Sequence, residues 1–293
     1  MKLLAIVLGV QVTIGLIIVA LVATDNVPFT DGEADGAPAP RPTAARFDGG
    51  GAWRLVVEQV ELGPRPAGSE ASRALGELLR ELLPRGRFQA VPGGLRNVIG
   101  TVRGREGGYI VVGAHYDTKD IPGFVGANDG ASGTAVVTQL ARTIERPRHT
   151  IHFILFDGEE SPRGTPDSDF QEEGLRGSKV AARRFRDARA MILLDFVGDR
   201  RLRIPREGFS NAALWRRLRA AAKRVGAGRA FPEATRASIY DDHVPFLEEG
   251  VPAIDLIDFG FPCFHRRCDD LTAVSRRSLD AVGETVYALV RNL

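Results

Sequence analysis

The chain has few cysteines. Of its 293 residues, only Cys263 and Cys268 are cysteines. Two thiolates cannot complete a structural zinc site of the cysteine-rich kind, and no further cysteine exists to join them. The pair leaves two alternatives open: a short-loop disulfide in an exported domain, or two free thiols that lie close in sequence by chance.

The net charge of the chain is also small. The formal charge at pH 7 is +2, although charged residues make up 26% of the chain. Arginines far outnumber lysines, but they are scattered and interleaved with acidic residues instead of forming a basic stripe. This distribution argues against a dedicated nucleic-acid-binding protein and is typical of a solvated surface.

The chain has one long apolar run, at its N-terminus. Residues Leu3–Thr24 carry no charge and are mostly leucine, isoleucine and valine. About 22 such residues are enough to cross a bilayer as a helix. We predict a transmembrane signal-anchor over residues 1–24, with a cleaved signal peptide as the alternative, because the small residues near its end make a poor cleavage site. Lys2 precedes the run, so the positive-inside rule places the bulk of the chain outside the cytoplasm.

A polar stretch rich in proline, alanine and glycine follows the apolar run. It includes the sequence TDGEADGAPAPRPTAA and predicts a linker over residues 25–46. Residues 47–293 then predict a single α/β domain, in which apolar runs of strand length alternate with helical patterns. The linker would separate this domain from the membrane.

The alternation indicates how the domain is layered. The predicted strands are Asn97–Val102, Tyr109–Ala114, His152–Phe156, Met191–Phe196 and Ile254–Phe259. The predicted helices are residues 53–63, residues 72–84 with Ser69 as the N-cap, Gly133–Thr143, Gly177–Phe185, Ser210–Val225 and Ser278–Leu293. Strands that are apolar throughout are buried on both faces, so we expect a largely parallel sheet covered by helices on both sides.

Histidines and carboxylates cluster where the predicted strands end. The residues in question are His115 and Asp117, Asp129 in the next glycine-rich loop, Asp157, Glu159 and Glu160, Asp195, and His265. Taken singly, each has an ordinary explanation, such as a surface histidine or a helix cap. In parallel sheets, however, ligands bind at the carboxyl ends of the strands. Burying so many carboxylates without compensation is costly, and this donor set suits zinc, so we expect a zinc site at this edge.

The motifs around these residues resemble metallopeptidase family 28, the zinc aminopeptidase family. They are HYDTK (115–119), GANDGASG (126–133), FDGEE (156–160) and LLDFVG (193–198), followed by His265. The resemblance covers roughly Gly63 to the C-terminus and implies a mixed, mainly parallel central sheet with helices on both faces.

The resemblance also implies roles for individual residues. The residues at metal-ligand positions are His115, Asp129, Glu160, Asp195 and His265, with Asp129 as the bridging carboxylate. Glu159 matches the general base, and Asp117 matches the carboxylate that orients His115.

The family includes two main chemistries. Aminopeptidases use two zinc ions and a bridging water, whereas animal-type glutaminyl cyclases typically use one zinc ion. The stretches YDDHVPFLEEGVPAIDLI (240–257) and FPCFH (261–265) closely resemble the cyclase pattern. In cyclases the residue matching Asp241 hydrogen-bonds the one matching Asp195. Two such carboxyl groups share a proton, which would weaken Asp195 as a ligand for a second metal ion.

We therefore predict a zinc-dependent glutaminyl-peptide cyclotransferase that converts an N-terminal glutamine to pyroglutamate and releases ammonia. One zinc ion is favoured over two. The three ligands of a single-zinc site would be Asp129, Glu160 and His265. The catalytic residues would be Glu159, Asp241 and Asp195. The substrate pocket would include Tyr240, Phe261 and Phe264. The expected partners are peptide or protein N-termini and, through the N-terminal helix, a membrane.

Some features depart from the cyclase pattern and keep an alternative open. Phe264 stands where the cyclases have tryptophan, and Phe170 is the only aromatic residue shortly after the Glu159–Glu160 pair. GANDGASG is closer to the aminopeptidase form. The alternative is therefore a zinc aminopeptidase of the same family. A third reading, a membrane-tethered ectodomain that binds without catalysis, would be marked by loss of Glu159 or of a ligand, and neither is missing.

Overall fold

Six strands form one central sheet in the computed structural model, which describes residues 37–293. The strands are β1 (Arg87–Val91), β2 (Leu95–Val102), β3 (Glu106–His115), β4 (His149–Phe156), β5 (Met191–Asp195) and β6 (Ala253–Ile257). Their order across the sheet is β1-β2-β4-β3-β5-β6. The β1–β2 and β2–β4 pairs are antiparallel, and the β4–β3, β3–β5 and β5–β6 pairs are parallel. The expected mixed, mainly parallel sheet is confirmed.

Helices lie on both faces of this sheet. They are α1 (Gly49–Glu61), α2 (Glu70–Leu82), α3 (Ala131–Thr143), α4 (Phe170–Glu173), α5 (Arg176–Arg184), α6 (Ala212–Arg224), α7 (Val244–Glu248) and α8 (Arg276–Val290). Successive strand residues point to opposite faces. Thus Val112 packs in the larger core, with α1, α2, α3, α6 and α8. Its neighbour Val111 packs in the smaller core, with α5 and α7.

Side chains cap the helices where the sequence indicates a start. Ser69 accepts a hydrogen bond from the Ser72 amide at 3.1 Å at the beginning of α2, as predicted. Asn211 accepts bonds from the Ala213 and Leu214 amides at the beginning of α6. Each such cap typically stabilises a helix by about 1 kcal/mol.

The sequence does not reveal strand β1 or the short helices α4 and α7. The residues of β1, RFQAV, are mostly exposed or half-buried, and only Val91 is buried. An edge strand of this kind lacks the apolar run by which the central strands are recognised. Other boundaries move by a few residues; β5, for example, ends at Asp195 because Phe196 has a left-handed backbone with φ of 46°.

The predicted membrane anchor over residues 1–24 lies outside the described residues, as does the linker up to residue 36. Within residues 37–293, no helix is long and apolar enough to cross a membrane. The last part of the predicted linker lies on the domain. The Ala39 amide bonds to the Arg200 carbonyl, the Thr43 amide bonds to the Val225 carbonyl, and Ala39 is buried.

Candidate active site

The carboxyl ends of three neighbouring strands place the predicted site residues together. His115 is the last residue of β3, and Asp195 is the last residue of β5. Glu159 and Glu160 lie in the turn just after β4, which ends at Phe156. Because β4, β3 and β5 are adjacent and parallel, these side chains meet at one edge of the sheet.

Two glycines allow the Asp129 loop to lie across the strand ends. Gly130 has φ of 83°, and a Cβ atom on it would lie 2.7 Å from the Asp117 carbonyl oxygen. Gly133, in the first turn of α3, approaches β5 so closely that a Cβ atom would lie 2.1 Å from the Leu194 carbonyl oxygen. A side chain at either position would move α3 and the loop before it. The glycine-rich motif thus fixes the position of Asp129.

Asp129 lies between the two histidines. Its Oδ1 is 3.2 Å from His115 Nε2, and its Oδ2 is 3.4 Å from His265 Nε2. His115 Nε2 is also 3.2 Å from Asp195 Oδ1. His265 Nε2 is 3.1 Å from Glu160 Oε1. The five predicted ligands therefore form two triads that share Asp129.

Both triads fit a metal ion. In each, one donor atom from every residue lies within 4.8 Å of the others; the triads are His115–Asp129–Asp195 and Asp129–Glu160–His265. Asp129 Oδ2 is buried, and although His265 Nε2 lies 3.4 Å away, the oxygen makes no hydrogen bond of normal geometry within the described part of the chain. A buried carboxylate oxygen without a hydrogen bond is costly, and a cation would remove that cost. Imidazole nitrogens with carboxylate oxygens are donors that zinc accepts.

Protons compete with a cation for these donors. Burial disfavours charge on His265, but its contacts with Asp129 and Glu160 prevail and raise its pKa to about 10. Burial likewise opposes charge on His115, yet hydrogen bonds with Asp117, Asp129 and Asp195 raise its pKa well above the ordinary value. In the absence of a metal ion, the two imidazolium groups compensate the carboxylates. A divalent cation would take over this role and release the protons.

Asp117 organises more than the sequence predicted. Its carboxylate lies 3.8 Å from His115 Nδ1, as expected for a residue that orients this imidazole. It also accepts hydrogen bonds from three successive amides, those of Gly158, Glu159 and Glu160, at 3.0, 3.2 and 3.2 Å. One buried carboxylate thus fixes both a ligand on β3 and the turn after β4.

Glu159 is buried beside the two triads. Its Oε2 lies 3.9 Å from His115 Nδ1, and the residue lines the adjacent cleft. Burial and then the charge of Glu160 raise the pKa of Glu159 well above its ordinary value, with His115 opposing them. A carboxyl group with a raised pKa can accept and return a proton near neutral pH, as general acid–base catalysis requires.

Asp195 and Asp241 influence each other through their charges. Burial is the main reason that the pKa of Asp195 rises to about 7, and the charges of Asp241 and Asp129 raise it further against the effect of His115. Burial and then the charge of Asp241 also raise the pKa of Asp255, which is fully buried in β6, well above its ordinary value. The hydrogen bond between Asp241 and Asp195 that the resemblance implies stays a prediction.

A buried contact between a histidine and two carboxyl groups lies behind Asp255. His243 Nε2 is 3.2 Å from Glu207 Oε1, and His243 Nδ1 is 3.9 Å from Asp255 Oδ2. Burial opposes ionisation of Glu207, but His243 outweighs it and lowers the Glu207 pKa to about 2. Sequence reasoning missed this group. Its one signal is Asp255 itself, a charge inside the apolar strand AIDLI.

A cleft of about 530 Å³ opens beside the triads. The aromatic residues that line it are Phe170, Phe196, Tyr240, Phe259 and Phe264. The Phe264 ring stacks on His265, with centroids 3.9 Å apart. Phe261, which the sequence also suggested for the pocket, is buried behind Phe196 and lies outside the cleft lining. Tyr240 and Phe264 do face the cleft.

Two further contacts bear on Glu160 and His265. Lys119 Nζ, from the HYDTK motif, lies 2.9 Å from Glu160 Oε2, a contact that the sequence did not suggest. Cys263 and Cys268 form a disulfide. Of the two alternatives left open for these cysteines, the structure has the disulfide, and it encloses His265.

The chain is similar in sequence to a family of peptidases. The sequence profile of peptidase family M28 matches residues 97–290, a span that contains every candidate ligand. The glutaminyl-peptide cyclotransferase of Bothrops jararaca is 27% identical in an alignment that covers 66% of this chain and 64% of that protein. This chain therefore spans less than two thirds of that relative's length.

Solved structures match over most of their length. A leucine aminopeptidase precursor from Bacteroides thetaiotaomicron is 28% identical with a TM-score of 0.78, covering 86% of this chain and 99% of that one. A glutaminyl cyclase from the same organism is 27% identical with a TM-score of 0.77, covering 86% of this chain and 100% of that one. The same fold thus occurs in proteins of both names.

Proposed function

This chain belongs to peptidase family M28, and from that membership we propose that it is a zinc-dependent glutaminyl cyclase. The substrate would be a peptide with N-terminal glutamine, and the products would be the pyroglutamyl peptide and ammonia. The observation that carries the proposal is that Asp195 and Asp241 line the same cleft, where burial, with a further contribution from the charge of Asp241, raises the pKa of Asp195 to about 7. A carboxyl group that keeps its proton near neutral pH is a weak ligand for a second metal ion.

The proposed zinc site is the Asp129–Glu160–His265 triad, with a single ion. Three protein ligands and one open position are typical of catalytic zinc. When bound, the ion would polarise the carbonyl group of the substrate's side-chain amide. Lys119 would hold Glu160 Oε2 away from the ion and leave Oε1 to face it.

The chain's own residues would perform the proton transfers. The α-amine attacks the γ-carboxamide carbon of the same residue, so a new C–N bond closes the ring. Glu159 accepts the proton that the amine loses and delivers it to the nitrogen of the departing ammonia as the old C–N bond breaks. Asp195 and Asp241 would hold a proton beside Glu159 during this exchange.

The cleft would position the substrate for this attack. Its aromatic residues, Tyr240 and Phe264 among them, would enclose the glutamine side chain and exclude water. Because amine and amide belong to the same residue, orientation alone can supply a large part of the rate.

A zinc aminopeptidase remains the second candidate, because the two triads share Asp129 in the arrangement that a two-metal site requires. The likeness to the leucine aminopeptidase precursor favours the same candidate. In that reaction Glu159 would take a proton from water and pass it to the leaving amine.

We also propose that the catalytic domain lies outside the cytoplasm, tethered by residues 1–24. The Cys263–Cys268 disulfide supports this location, because disulfides persist in oxidising compartments. A cell fractionation would test it: the full chain should remain with membranes after high-salt washing, and recovery of the intact chain in the soluble fraction would contradict the tether.

Replacement of Asp241 separates the two chemistries. Asp241→Ala should lower the rate of pyroglutamate formation by about 100-fold or more, because it removes a carboxyl group of the proton network. Zinc content should not change. The exposed Asp167 at the cleft rim supplies a control, and Asp167→Ala should keep the rate within about threefold. Full hydrolysis of Leu-initiated peptides by wild type and Asp241→Ser, with no pyroglutamate formed, would establish the aminopeptidase instead.

A further inference from the structure

His265 occupies an unfavourable backbone conformation inside a covalently closed loop. Its φ is 51°, in the left-handed region that residues other than glycine seldom adopt. The loop is closed by the disulfide between Cys263 and Cys268, which we call the ligand loop. His265 is the only residue of this loop in either triad.

The ligand loop lies at the surface and has a modest number of contacts besides the disulfide; Cys263 packs near Phe196, and the Phe264 ring lies 5.6 Å from that of Phe196. Arg266 and Arg267 are exposed, and Phe264 is 37% exposed although it stacks on His265. A hydrogen bond from Arg267 Nε to the Pro122 carbonyl, at 2.8 Å, ties the loop to the rest of the domain. Among these contacts the disulfide is the covalent one, and it closes the chain around His265 and its unfavourable backbone conformation.

The residue that follows the ligand loop also holds the backbone of Asp129, the residue that both triads share. Asp269 follows Cys268 and is fully buried. Its carboxylate accepts hydrogen bonds from the Asn128 and Asp129 amides at 2.7 and 3.0 Å. Its carbonyl accepts a bond from the Ala127 amide at 3.2 Å. One short segment therefore supplies one ligand directly and fixes the backbone of another.

We propose that the Cys263–Cys268 disulfide is a positioning element of the zinc site, so that zinc affinity depends on the oxidation state of this pair. The inference rests on the proposed zinc function. The disulfide holds His265 with Nε2 towards Glu160 and Asp129, and it holds Asp269 against the Asp129 backbone. Without it, His265 can relax to an ordinary backbone conformation and withdraw its nitrogen from the triad.

Cys268 is exposed, so a reductant can reach the bond. A water-soluble phosphine breaks the S–S bond. The two sulfurs gain two electrons and two protons as thiols, and the phosphine becomes its oxide with an oxygen atom from water. No other cysteine exists in the chain to re-form a different disulfide.

A comparison of zinc affinity between three forms of the full chain tests this proposal. The three forms are the oxidised wild type, the Cys263→Ala/Cys268→Ala variant, and wild type that has been reduced with phosphine, capped with iodoacetamide and desalted. The dissociation constant for zinc is measured by competition with a fluorescent chelator, and the melting temperature of the zinc-free protein is measured alongside. We expect a dissociation constant at least about tenfold higher in both altered forms, the scale seen when groups that orient metal ligands are removed.

The control and the second readout separate positioning from general stability. Arg266→Ala removes an exposed side chain of the same loop and should keep zinc affinity within about threefold. A disulfide with a merely structural role would lower the melting temperature and leave the zinc affinity of the folded protein unchanged. That outcome, in either altered form, would overturn the proposal. If the wild type binds zinc and cyclises glutamine, but its zinc affinity is the same with and without the disulfide, only this inference is overturned. A wild type that binds no zinc would overturn the proposed function as well.

Discussion

Two aspartates organise the site at the scale of single residues. Asp129 places one oxygen near each histidine, and Asp117 joins His115 to the turn that carries Glu159. A carboxylate has two oxygens with two lone pairs each, so one buried side chain can join several elements. This helps the site to tolerate its acids, because Asp117, Asp129, Glu160 and Asp195 each contact an amide or an imidazole and a cation would complete the set.

The Glu159→Gln variant tests the proposed base. The amide keeps the shape of the side chain but cannot accept a proton, so kcat should fall by about 100- to 10,000-fold. Zinc content, measured by atomic spectroscopy, should be unchanged because Glu159 belongs to neither triad. Glu172→Gln, an exposed glutamate of α4, is the control. A Glu159→Gln enzyme with more than about a tenth of wild-type kcat would remove Glu159 from this role.

The grouping of the candidate ligands could be predicted from sequence because each of them follows a strand or lies in a recognisable motif. Asp255 could not. A single carboxyl group inside an apolar strand has no periodic signal, and its partners Asp241 and His243 come close to it only when β6 packs beside α7. Lys119 belongs to the recognisable HYDTK motif, but its contact with Glu160 depends on the turn that Asp117 fixes and so could not be predicted.

At the scale of elements, the close packing of α3 on β5 positions the site. Asp129 lies just before α3, and Asp195 ends β5. The contact between the elements is made at Gly133, whose missing side chain lets the helix backbone approach the Leu194 carbonyl. Any change in the helix–strand distance therefore changes the distance between two candidate ligands.

Gly133→Ala should damage stability and activity together. The added Cβ would lie 2.1 Å from the Leu194 carbonyl oxygen, a backbone atom that cannot rotate away. Overpacking of this kind costs about 1–3 kcal/mol, which corresponds to a fall in melting temperature of about 2–12 °C. Gly107→Ala in β3 is the matched control, because a Cβ atom there meets nothing within 4 Å. An unchanged melting temperature and rate for Gly133→Ala would show that the helix does not need this approach.

The longer helices and the central strands follow from apolar periodicity, whereas β1 and the short helices α4 and α7 do not. The polar edge strand RFQAV is recruited by pairing with β2 along its whole length. Backbone hydrogen bonds, not buried side chains, define such a strand, so a pattern of side chains does not reveal it.

At the scale of the whole molecule, the near-zero net charge conceals a separation of charges. The arginines lie largely at the surface, whereas many acids are buried. The buried acids are Asp117, Asp129, Asp157, Asp195, Asp241, Asp242, Asp255, Asp258, Asp269, Glu159, Glu160, Glu207 and Glu284. Composition alone could not locate this excess of internal carboxylates, because it depends on which residues the fold encloses. The excess makes stability sensitive to pH and to a bound cation.

The zinc-free protein should lose stability as pH rises from 5.5 to 8.5. Burial raises the pKa values of Asp195, Asp258 and Asp269 to about 7, so ionising them costs the folded state increasingly above their ordinary value near 4. His265, with a pKa of about 10, acts in the same direction, because its stabilising charge is lost as pH rises. Glu207, whose pKa is lowered to about 2, loses its contribution only in acid, outside this window.

Melting temperatures of the zinc-free and zinc-loaded full chain, measured from pH 5.5 to 8.5, would check whether stability falls as pH rises. We expect a fall of at least about 5 °C for the zinc-free protein, corresponding to about 2 kcal/mol. The fall should be smaller with zinc, because the cation replaces the imidazolium charges at the site. A zinc-free protein that becomes more stable towards pH 8.5 would contradict the assignment of these buried acids.

The most direct test of the central claim uses one peptide that can undergo either reaction. The zinc-loaded full chain is incubated with a peptide beginning Gln-Leu, and the products are identified by mass spectrometry, with the Glu159→Gln variant as the blank. A glutaminyl cyclase predicts loss of one ammonia from the intact peptide and an N-terminus resistant to Edman degradation. Release of free glutamine followed by leucine, without the ammonia-loss product, would contradict the cyclase and identify an aminopeptidase.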